Sequence, residues 1–411
     1  MAHDQSTDTT GMADSNPGKP GKATIVANTS VTGKKATLTV WESACIITGY
    51  GIGGGVMAMP YLAQKNGIIM STIILLVAFA ASVLLHLMIA ELSMKSGENP
   101  QIISVFSKYL FQGRFQKPLT IGFFVIMTLV LFTNLAAYIS GAAEILTPML
   151  GLPLLASKLI FYVAAAAVVL FGLKAVGLSE KYAVAVIYAM VLVLAGASIT
   201  KVRNGLPLTP GTINQGLAYF GMAMFAFSAF FSVPQAVTGL GGDRKKIAKA
   251  VTFGILNNLI LIMVIVICAL LASSEITPVA MVGWSRGIGV WAEVVGSVFT
   301  ILAMLTTYWS ISLALSDIVA EQTKLSTKMC WIIATVPSLL LTFLGLGGFM
   351  EFMRLAGGLI AILIALLVVP AFRKSRKDIG PTLLGRYGNA TAQVAVIILY
   401  ILMAVGNVVT I

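Results

Sequence analysis

The stretch "ITGYGIGGGVMAMPY", residues 47–61, decides the fold, because glycines and a proline stand inside an otherwise apolar run. Four of the five positions from Gly51 to Gly55 are glycine, and Pro60 follows them. In the interior of a helix each glycine costs about 1 kcal/mol and a proline about 3 kcal/mol. The stretch therefore predicts a helix that is interrupted at residues 53–55.

The composition of the chain predicts its class. Hydrophobic residues make up 58% of the 411 residues, charged residues make up 10%, and the mean hydropathy is +0.95. Such values are typical of a polytopic membrane protein. Residues 1–36 are rich in Ser, Thr, Asp, Gly and Lys and predict a disordered cytoplasmic tail before a transmembrane domain of residues 37–411. The net charge of +12 does not indicate nucleic-acid binding, because membrane proteins sort Lys and Arg to one side of the bilayer.

Apolar runs of about 20 residues, the length that crosses a bilayer as a helix, occur about eleven times. Their approximate limits are 38–63, 68–94, 119–147, 153–173, 178–200, 215–240, 247–273, 288–317, 328–346, 351–371 and 390–410. With the amino terminus in the cytoplasm, most Lys and Arg residues fall in the tail and in the cytoplasmic turns. The sequence thus predicts a multi-pass protein of the cell (inner) membrane with its amino terminus in the cytoplasm and its carboxyl terminus outside.

Several acidic side chains and one histidine within the spans are predicted to lie near the membrane surfaces, given a rise of about 1.5 Å per helical residue. They are Glu42, His86, Glu91 and Asp317 near the cytoplasmic side and Glu144 and Glu293 near the external side. Snorkelling or local pairing is the alternative to a function for these groups. Because no formal charge is expected at the midplane, a ligand bound there is expected to be net neutral.

The sixth span repeats the interruption of the first. In "GMAMFAFSAFFSVPQAVTGLGG", residues 221–242, the helix is weak near residues 227–229, and Pro234 follows. Non-helical backbone is tolerated in a membrane where it lines a cavity. Two interrupted spans, five apart, predict an all-α fold of two inverted repeats, residues 37–201 and 213–372, with an extra helix at 389–411. The alternative, that the glycines only let helices pack closely, stays open.

The two interrupted segments also carry a resemblance to a known family. "GYGIGGGVMAMPYLAQKNG", residues 49–67, resembles the first span of the amino acid/auxin permease family, including its bacterial relatives, in the amino acid–polyamine–organocation superfamily. "FAFSAFFSVPQAV", residues 225–237, is similar to the sixth span of that family. The resemblance covers essentially everything after residue 36. It implies the leucine-transporter-like fold and secondary active transport of an amino acid.

The resemblance implies where an amino acid binds. The amides of residues 53–55 would hold the substrate carboxylate, and carbonyl groups of residues 225–228 would receive its ammonium group. The dipoles of half-helices favour the same arrangement. Aromatic residues beside the second break favour a bulky apolar or aromatic substrate. The candidate substrate-binding residues are Gly51, Ile52, Gly53, Gly54, Gly55, Asn134, Tyr138, Phe225, Ala226, Phe227 and Ser228.

A second candidate site would bind the coupling cation. In "ILAMLTTYWSIS", residues 301–312, Ala303, Thr306 and Thr307 resemble an Ala-x-x-Thr-Ser/Thr cluster. In the wider superfamily that cluster forms a sodium site with carbonyl groups of the first span, here Gly49 and Ile52. The chain departs from several sodium-coupled relatives at Gly49, where they carry Asn. Na⁺ is the expected coupling ion, and H⁺ on one of the carboxylates near the membrane surfaces is the alternative. Thr side chains that only join helices are a further alternative.

The sequence therefore predicts a cation-coupled symporter of a neutral amino acid rather than an enzyme. It contains no phosphate-binding loop and no Cys or His spacing typical of zinc, so no cofactor and no other metal is expected. The expected partners are a small amino acid and the lipid bilayer, with no nucleic acid, and the protein is expected to be a monomer or a weak oligomer. The alternative function is a sensor or receptor that keeps the transporter fold and binds an amino acid without moving it.

Overall fold

The computed structural model describes residues 37–97, 101–276, 280–344, 363 and 366–409. Regular secondary structure in these residues is helical, which confirms the predicted all-α class. The predicted tail, residues 1–36, lies outside the described residues, as does most of the predicted tenth span, residues 351–371.

The first half of the chain begins with a broken helix. Its helices are α1 (Val40–Gly51), α2 (Gly54–Asn66), α3 (Ile68–Lys95), α4 (Ile102–Tyr109), α5 (Gln116–Leu150), α6 (Leu154–Leu170) and α7 (Gly172–Ile199). The axes of α1 and α2 differ by 59° across their break. The predicted interruption of the first span is thereby confirmed.

The second half also begins with a broken helix. Its helices are α8 (Ile213–Ala226), α9 (Ser232–Gly239), α10 (Arg244–Ala272), α11 (Ala280–Ile288), α12 (Val290–Thr323), α13 (Thr327–Phe343), α14 (366–375) and α15 (Ala390–Val408). Helix α15, the predicted extra helix, packs against α8, where Gly406 lies against the main chain at Leu217.

Helix lengths match between the two halves. Helices α3 and α10 have 28 and 29 residues, α5 and α12 have 35 and 34, and α6 and α13 have 17 each. Both broken helices start with a capping box, formed by Thr39 with Glu42 and by Thr212 with Gln215. These similarities agree with a repeated architecture, while the predicted repeat boundaries stay predictions.

Membrane-spanning character is clearest in the long helices. Six helices of the described chain are long and apolar enough to cross a membrane, and the α1–α2 pair can supply a seventh span. Helices α6 and α13 are apolar but shorter. The predicted count of eleven spans therefore stays a prediction. Helix α12 is the most deeply buried of the long helices, and it passes beside the break between α1 and α2.

Candidate functional site

The two helix breaks define the centre of the site. Helix α1 ends at Gly51 and α2 begins at Gly54, while α8 ends at Ala226 and α9 begins at Ser232. Each break exposes main-chain amides at the start of one half-helix and carbonyl groups at the end of the other. The break is thus a source of polar groups in an apolar environment.

Glycines of the first break let groups from other helices come close. A Cβ atom added at Gly51 would overlap the side-chain amide of Asn258 on α10. At Gly53 it would lie 2.7 Å from Oη of Tyr138 on α5 and 2.9 Å from Oγ1 of Thr307 on α12. Cβ contacts in proteins are essentially never shorter than 3.0 Å. These glycines therefore interrupt the helix, and they also leave the space that the side chains of the neighbouring helices occupy.

The glycines on either side of these two make contacts of the same kind. A Cβ atom at Gly49 would overlap the carboxyl group of Glu180 on α7. A Cβ atom at Gly55 would lie 3.0 Å from Cα of Ala226 and from Cδ1 of Phe225. The close approach of Gly55 to Ala226 and Phe225 brings the start of α2 directly against the end of α8, so the two breaks are in contact.

A cavity lies where the two breaks meet. Its lining residues are Tyr50, Gly51, Gly53, Gly54, Gly55, Asn134, Tyr138, Phe225, Ser228 and Phe230. Most of the predicted substrate-binding residues are among them. The predicted residues Ile52, Ala226 and Phe227 are buried and do not line the cavity. Phe227 packs edge-on against Phe79 of α3, with 6.1 Å between the ring centroids.

Polar groups in the cavity wall suit an amino acid. The Oδ1 atom of Asn134 is buried and has no hydrogen-bond partner in the described part of the chain. The hydroxyl group of Tyr138 lies within hydrogen-bonding reach of the Gly54 main chain and of Thr307. Tyr138 therefore links the predicted carboxylate site on α2 with the predicted cation site on α12.

The predicted cation cluster comes together around one carbonyl oxygen. The hydroxyl oxygens of Thr306 and Thr307 lie 3.2 and 3.1 Å from the Gly49 carbonyl oxygen and 2.9 and 3.0 Å from the Ala303 carbonyl oxygen. Each hydroxyl group can donate its one hydrogen to either carbonyl. Ile52, which was also predicted for the cation site, takes no part in these hydrogen bonds within the described chain. Its N–H donates to the Thr48 carbonyl of α1 at 3.0 Å. Neutral oxygens in this arrangement are ligands of the kind that a hard monovalent cation takes.

The sequence analysis did not single out Glu180 of α7, which lies beside the broken helix. Glu180 is completely buried, and Ser310 of α12 donates to its Oε1 atom at 2.8 Å. The reason lies in where α7 begins, at Gly172 rather than at residue 178, so Glu180 sits about two turns inside the helix. The available signal was periodicity, since Val176, Glu180 and Val184 share one buried helix face.

The carboxyl groups that the sequence analysis placed near the membrane surfaces have environments that differ from one another. Glu144 and Glu293 are exposed. Glu42 is buried, but it forms an ion pair with Lys174 at 2.8 Å. Glu91 is completely buried and pairs with Lys95 at 3.2 Å. Glu180 differs from Glu42 and Glu91 in that it forms no ion pair among the described residues.

Two other polar residues at the breaks were not predicted. His86 of α3 accepts a hydrogen bond of 2.9 Å from the Ala229 N–H, a main-chain amide freed by the break between α8 and α9. The other ring nitrogen of His86 lies 2.6 Å from the Ser82 carbonyl, so His86 is a neutral imidazole that donates there. Asn258 is completely buried against Gly51, and neither of its side-chain polar atoms has a partner in the described chain.

The fold and its paired breaks are those of the leucine-transporter-like class. The structure of Mhp1, a nucleobase-cation-symport-1 family transporter, superposes with a TM-score of 0.64 over 93% of this chain and 94% of that one, at 14% identity. MhsT in complex with L-phenylalanine gives 0.63 over 90% and 100%, at 15% identity. A manganese transporter of Eremococcus coleocola gives 0.63 over 94% and 90%, at 14% identity. At these identities the likeness establishes the fold.

The chain belongs to the tryptophan/tyrosine permease family, which matches residues 36–407. It is also similar to glutamine transporter 2 of Aliivibrio fischeri, at 23% identity over 371 residues that cover 82% of this chain and 90% of the relative. These findings confirm the resemblance that the two interrupted segments indicated, to an amino acid permease with this fold. The protein is thus a multi-pass membrane transporter of amino acids and not an enzyme.

Proposed function

We propose that the protein is a cation-coupled symporter that moves a bulky, neutral amino acid, aromatic in the first instance, by alternating access around the two breaks. The observation that carries the proposal is the cavity at which both breaks meet, since it combines freed main-chain groups with an aromatic wall. Rigid-body movement of one repeat against the other would open such a midplane site to each side in turn.

The amino acid backbone would bind between the two half-helices. The amides at the start of α2, from Gly53 to Gly55, point the positive end of a helix dipole at the cavity and would hold the carboxylate. Carbonyl groups at the end of α8, together with the unpartnered Oδ1 atom of Asn134, would accept hydrogen bonds from the ammonium group.

The substrate side chain would lie against aromatic rings. Tyr50, Tyr138, Phe225 and Phe230 contribute most of the large side chains of the cavity wall. Such rings favour an aromatic or large apolar side chain. The family description names tryptophan and tyrosine, whereas the similar curated protein is named for glutamine. Competition between these amino acids is therefore the informative specificity test.

The coupling cation would act at the carbonyl oxygen of Gly49, one turn before the break. The sequence favours Na⁺ there, and the cluster of neutral oxygens from Thr306, Thr307 and Ala303 supports that ion. The alternative ion is H⁺, and it is favoured by the buried carboxyl group of Glu180, which contacts the same glycine.

Location and orientation complete the proposal. The protein would lie in the cell (inner) membrane with its amino terminus in the cytoplasm and its carboxyl terminus outside, as the distribution of Lys and Arg indicates. The basic start of α10, at residues 244–246, and the basic residues after α14 would then face the cytoplasm.

Uptake into proteoliposomes tests the proposal against the sensor alternative. The full chain is reconstituted, and uptake of labelled tryptophan is followed with one gradient imposed at a time, Na⁺ or H⁺, with protein-free liposomes as the control. A transporter accumulates label far beyond one molecule per protein and exchanges internal for external substrate. A sensor binds label stoichiometrically. Stoichiometric binding without exchange would contradict the proposed function, and competition by unlabelled tyrosine, phenylalanine and glutamine ranks the substrates.

A further inference from the structure

One ring of the cavity wall, that of Phe230, comes from backbone that no helix fixes. Phe230 lies in the non-helical residues 227–231 between α8 and α9, and it lines the cavity. Helical backbone fixes the direction in which a side chain leaves it, whereas a non-helical segment leaves that direction to the contacts around the side chain. The position of the Phe230 ring is therefore set by the groups that pack against it.

The first of these groups is His86 of α3. Its imidazole ring is stacked on the Phe230 ring, with 5.2 Å between the ring centroids and 18° between the planes. The same imidazole accepts the hydrogen bond from the Ala229 N–H, and its other nitrogen is bound to the Ser82 carbonyl of α3. His86 thereby holds both the main chain and the side chain of this part of the cavity wall.

The second group is Tyr400 of α15. Its ring lies against the Phe230 ring, with 6.2 Å between the centroids and 52° between the planes. Aromatic pairs at such distances attract each other beyond the effect of their buried area. Tyr400 is 1% exposed. Because neither Tyr400 nor His86 is among the residues that line the cavity, both act on its wall from outside it.

Helix α15 is packed against the broken helix at close range. A Cβ atom added at Gly406 would overlap the Leu217 carbonyl oxygen of α8, and one added at Gly221 of α8 would lie 2.8 Å from Oδ1 of Asn407. Helices that meet through glycines bring their main chains together, and such close packing leaves little freedom for one helix to move along the other. Tyr400, six residues before Gly406, is therefore held in place relative to α8.

We propose that Tyr400 and His86 are positioning residues that set the substrate specificity by fixing the ring of Phe230; this inference rests on the proposed function. The two rings hold Phe230 at the edge of the cavity and so limit the size of the aromatic side chain that fits beside it. Without the ring of Tyr400, Phe230 can turn into the vacated space, and the cavity then extends towards α15. The extra helix, which lies outside the two predicted repeats, thus takes part in substrate selection.

Equilibrium binding to the purified full chain tests the proposal. The dissociation constant is measured directly for labelled tryptophan and by competition for 5-benzyloxytryptophan, which carries an additional aromatic ring. In Tyr400→Ala the ratio of the 5-benzyloxytryptophan constant to the tryptophan constant is expected to fall by roughly 3- to 12-fold, the range that one aromatic contact contributes. A protein that is only destabilised would lose affinity for both ligands and keep the ratio.

Two variants of α15 serve as controls. Tyr400→Phe keeps the ring that contacts Phe230 and is expected to keep the wild-type ratio. Val396→Ala shortens another buried side chain on the same face of α15, about one turn before Tyr400, and is also expected to leave the ratio unchanged.

A second test approaches Phe230 from α3. A glutamine side chain at position 86 can still accept a hydrogen bond from the Ala229 N–H, but it has no ring to stack on Phe230. His86→Gln is therefore expected to lower the ratio as well. This variant decides the question if Tyr400→Ala does not reach the membrane.

The possible outcomes separate this proposal from the proposed function. A ratio within about twofold of the wild type in Tyr400→Ala or in His86→Gln would overturn the role of that residue while leaving the transporter function in place. An equal fall of the ratio in Val396→Ala would overturn the role of Tyr400, because the effect would then belong to the packing of α15 in general. A wild type that exchanges neither tryptophan nor any competing amino acid across the liposome membrane would instead contradict the proposed function itself.

Discussion

Gly53→Ala probes the junction of the substrate and cation sites with a single methyl group. That methyl carbon would lie 2.7 Å from Oη of Tyr138 and 2.9 Å from Oγ1 of Thr307, whereas ordinary van der Waals contact begins at 3.4 Å. Each oxygen must therefore retreat by roughly half an ångström or more within a closely packed interior. Neither can do so freely, because Tyr138 and Thr307 are buried on α5 and α12.

Overpacking by a methyl group in such a place costs about 1–3 kcal/mol. If the cost falls on the substrate-bound state, the dissociation constant for tryptophan rises roughly 5- to 150-fold. Equilibrium binding of labelled tryptophan to the purified protein measures this change. The matched control is Gly122→Ala on α5, where the added methyl group meets nothing within 4 Å. If Gly53→Ala binds tryptophan within about twofold of the wild type and of this control, the carboxylate does not bind beside Gly53, and the reasoning fails.

Three further predictions concern the cation cluster, the second break and the orientation. Thr306→Val should raise the concentration of the coupling cation needed for half-maximal uptake by roughly 5- to 150-fold. Thr300→Val, whose hydroxyl group donates to the Gly296 carbonyl within α12, should not, and equal effects of the two changes would show that the cluster does not bind the coupling cation. His86→Ala should lower the free energy of unfolding by about 1–3 kcal/mol, seen as a lower melting temperature, because a main-chain amide at the second break loses its acceptor; unchanged melting would contradict this role. In a background without the three native cysteines, Arg203→Cys should react with an impermeant thiol reagent in intact cells and Lys374→Cys should not, and the reverse pattern would invert the orientation.

The breaks themselves could be predicted from the sequence because their causes are local. Glycine and proline raise the free-energy cost of a helix at any place in the fold. Residues 53–55 and Pro234 therefore indicate interruptions even when the neighbouring helices are unknown. The structure places the first break at residues 52–53, which overlaps the predicted break at Gly53, whereas Gly54 and Gly55 already belong to α2. The predicted cation cluster of Thr306, Thr307 and Gly49 also meets, since its recognition came from a motif that already encodes a contact between two helices.

The cavity walls could be predicted only in part. Asn134, Tyr138 and Phe225 were expected and line the cavity, whereas Phe227 points to α3 and Phe230 takes its place. In the non-helical residues between α8 and α9, side-chain directions do not follow the period of a helix. The side chains that face the cavity there are chosen by packing against other helices, which a single sequence does not display.

By itself, the amino-acid sequence determined that this chain crosses the membrane many times and that two of its helices are broken, because hydropathy and the backbone cost of glycine and proline are properties of short segments. The side of the membrane on which its basic residues concentrate stays a prediction. The tertiary structure alone decided which polar groups meet at the first break. Glu180 and Asn258 reach α1 because Gly49 and Gly51 leave room for them, and both arrive from helices far along the chain. Such meetings depend on where each helix begins and how it is turned about its axis. Helix α7 begins at Gly172, so Glu180 lies about two turns inside the helix and is buried in the protein interior.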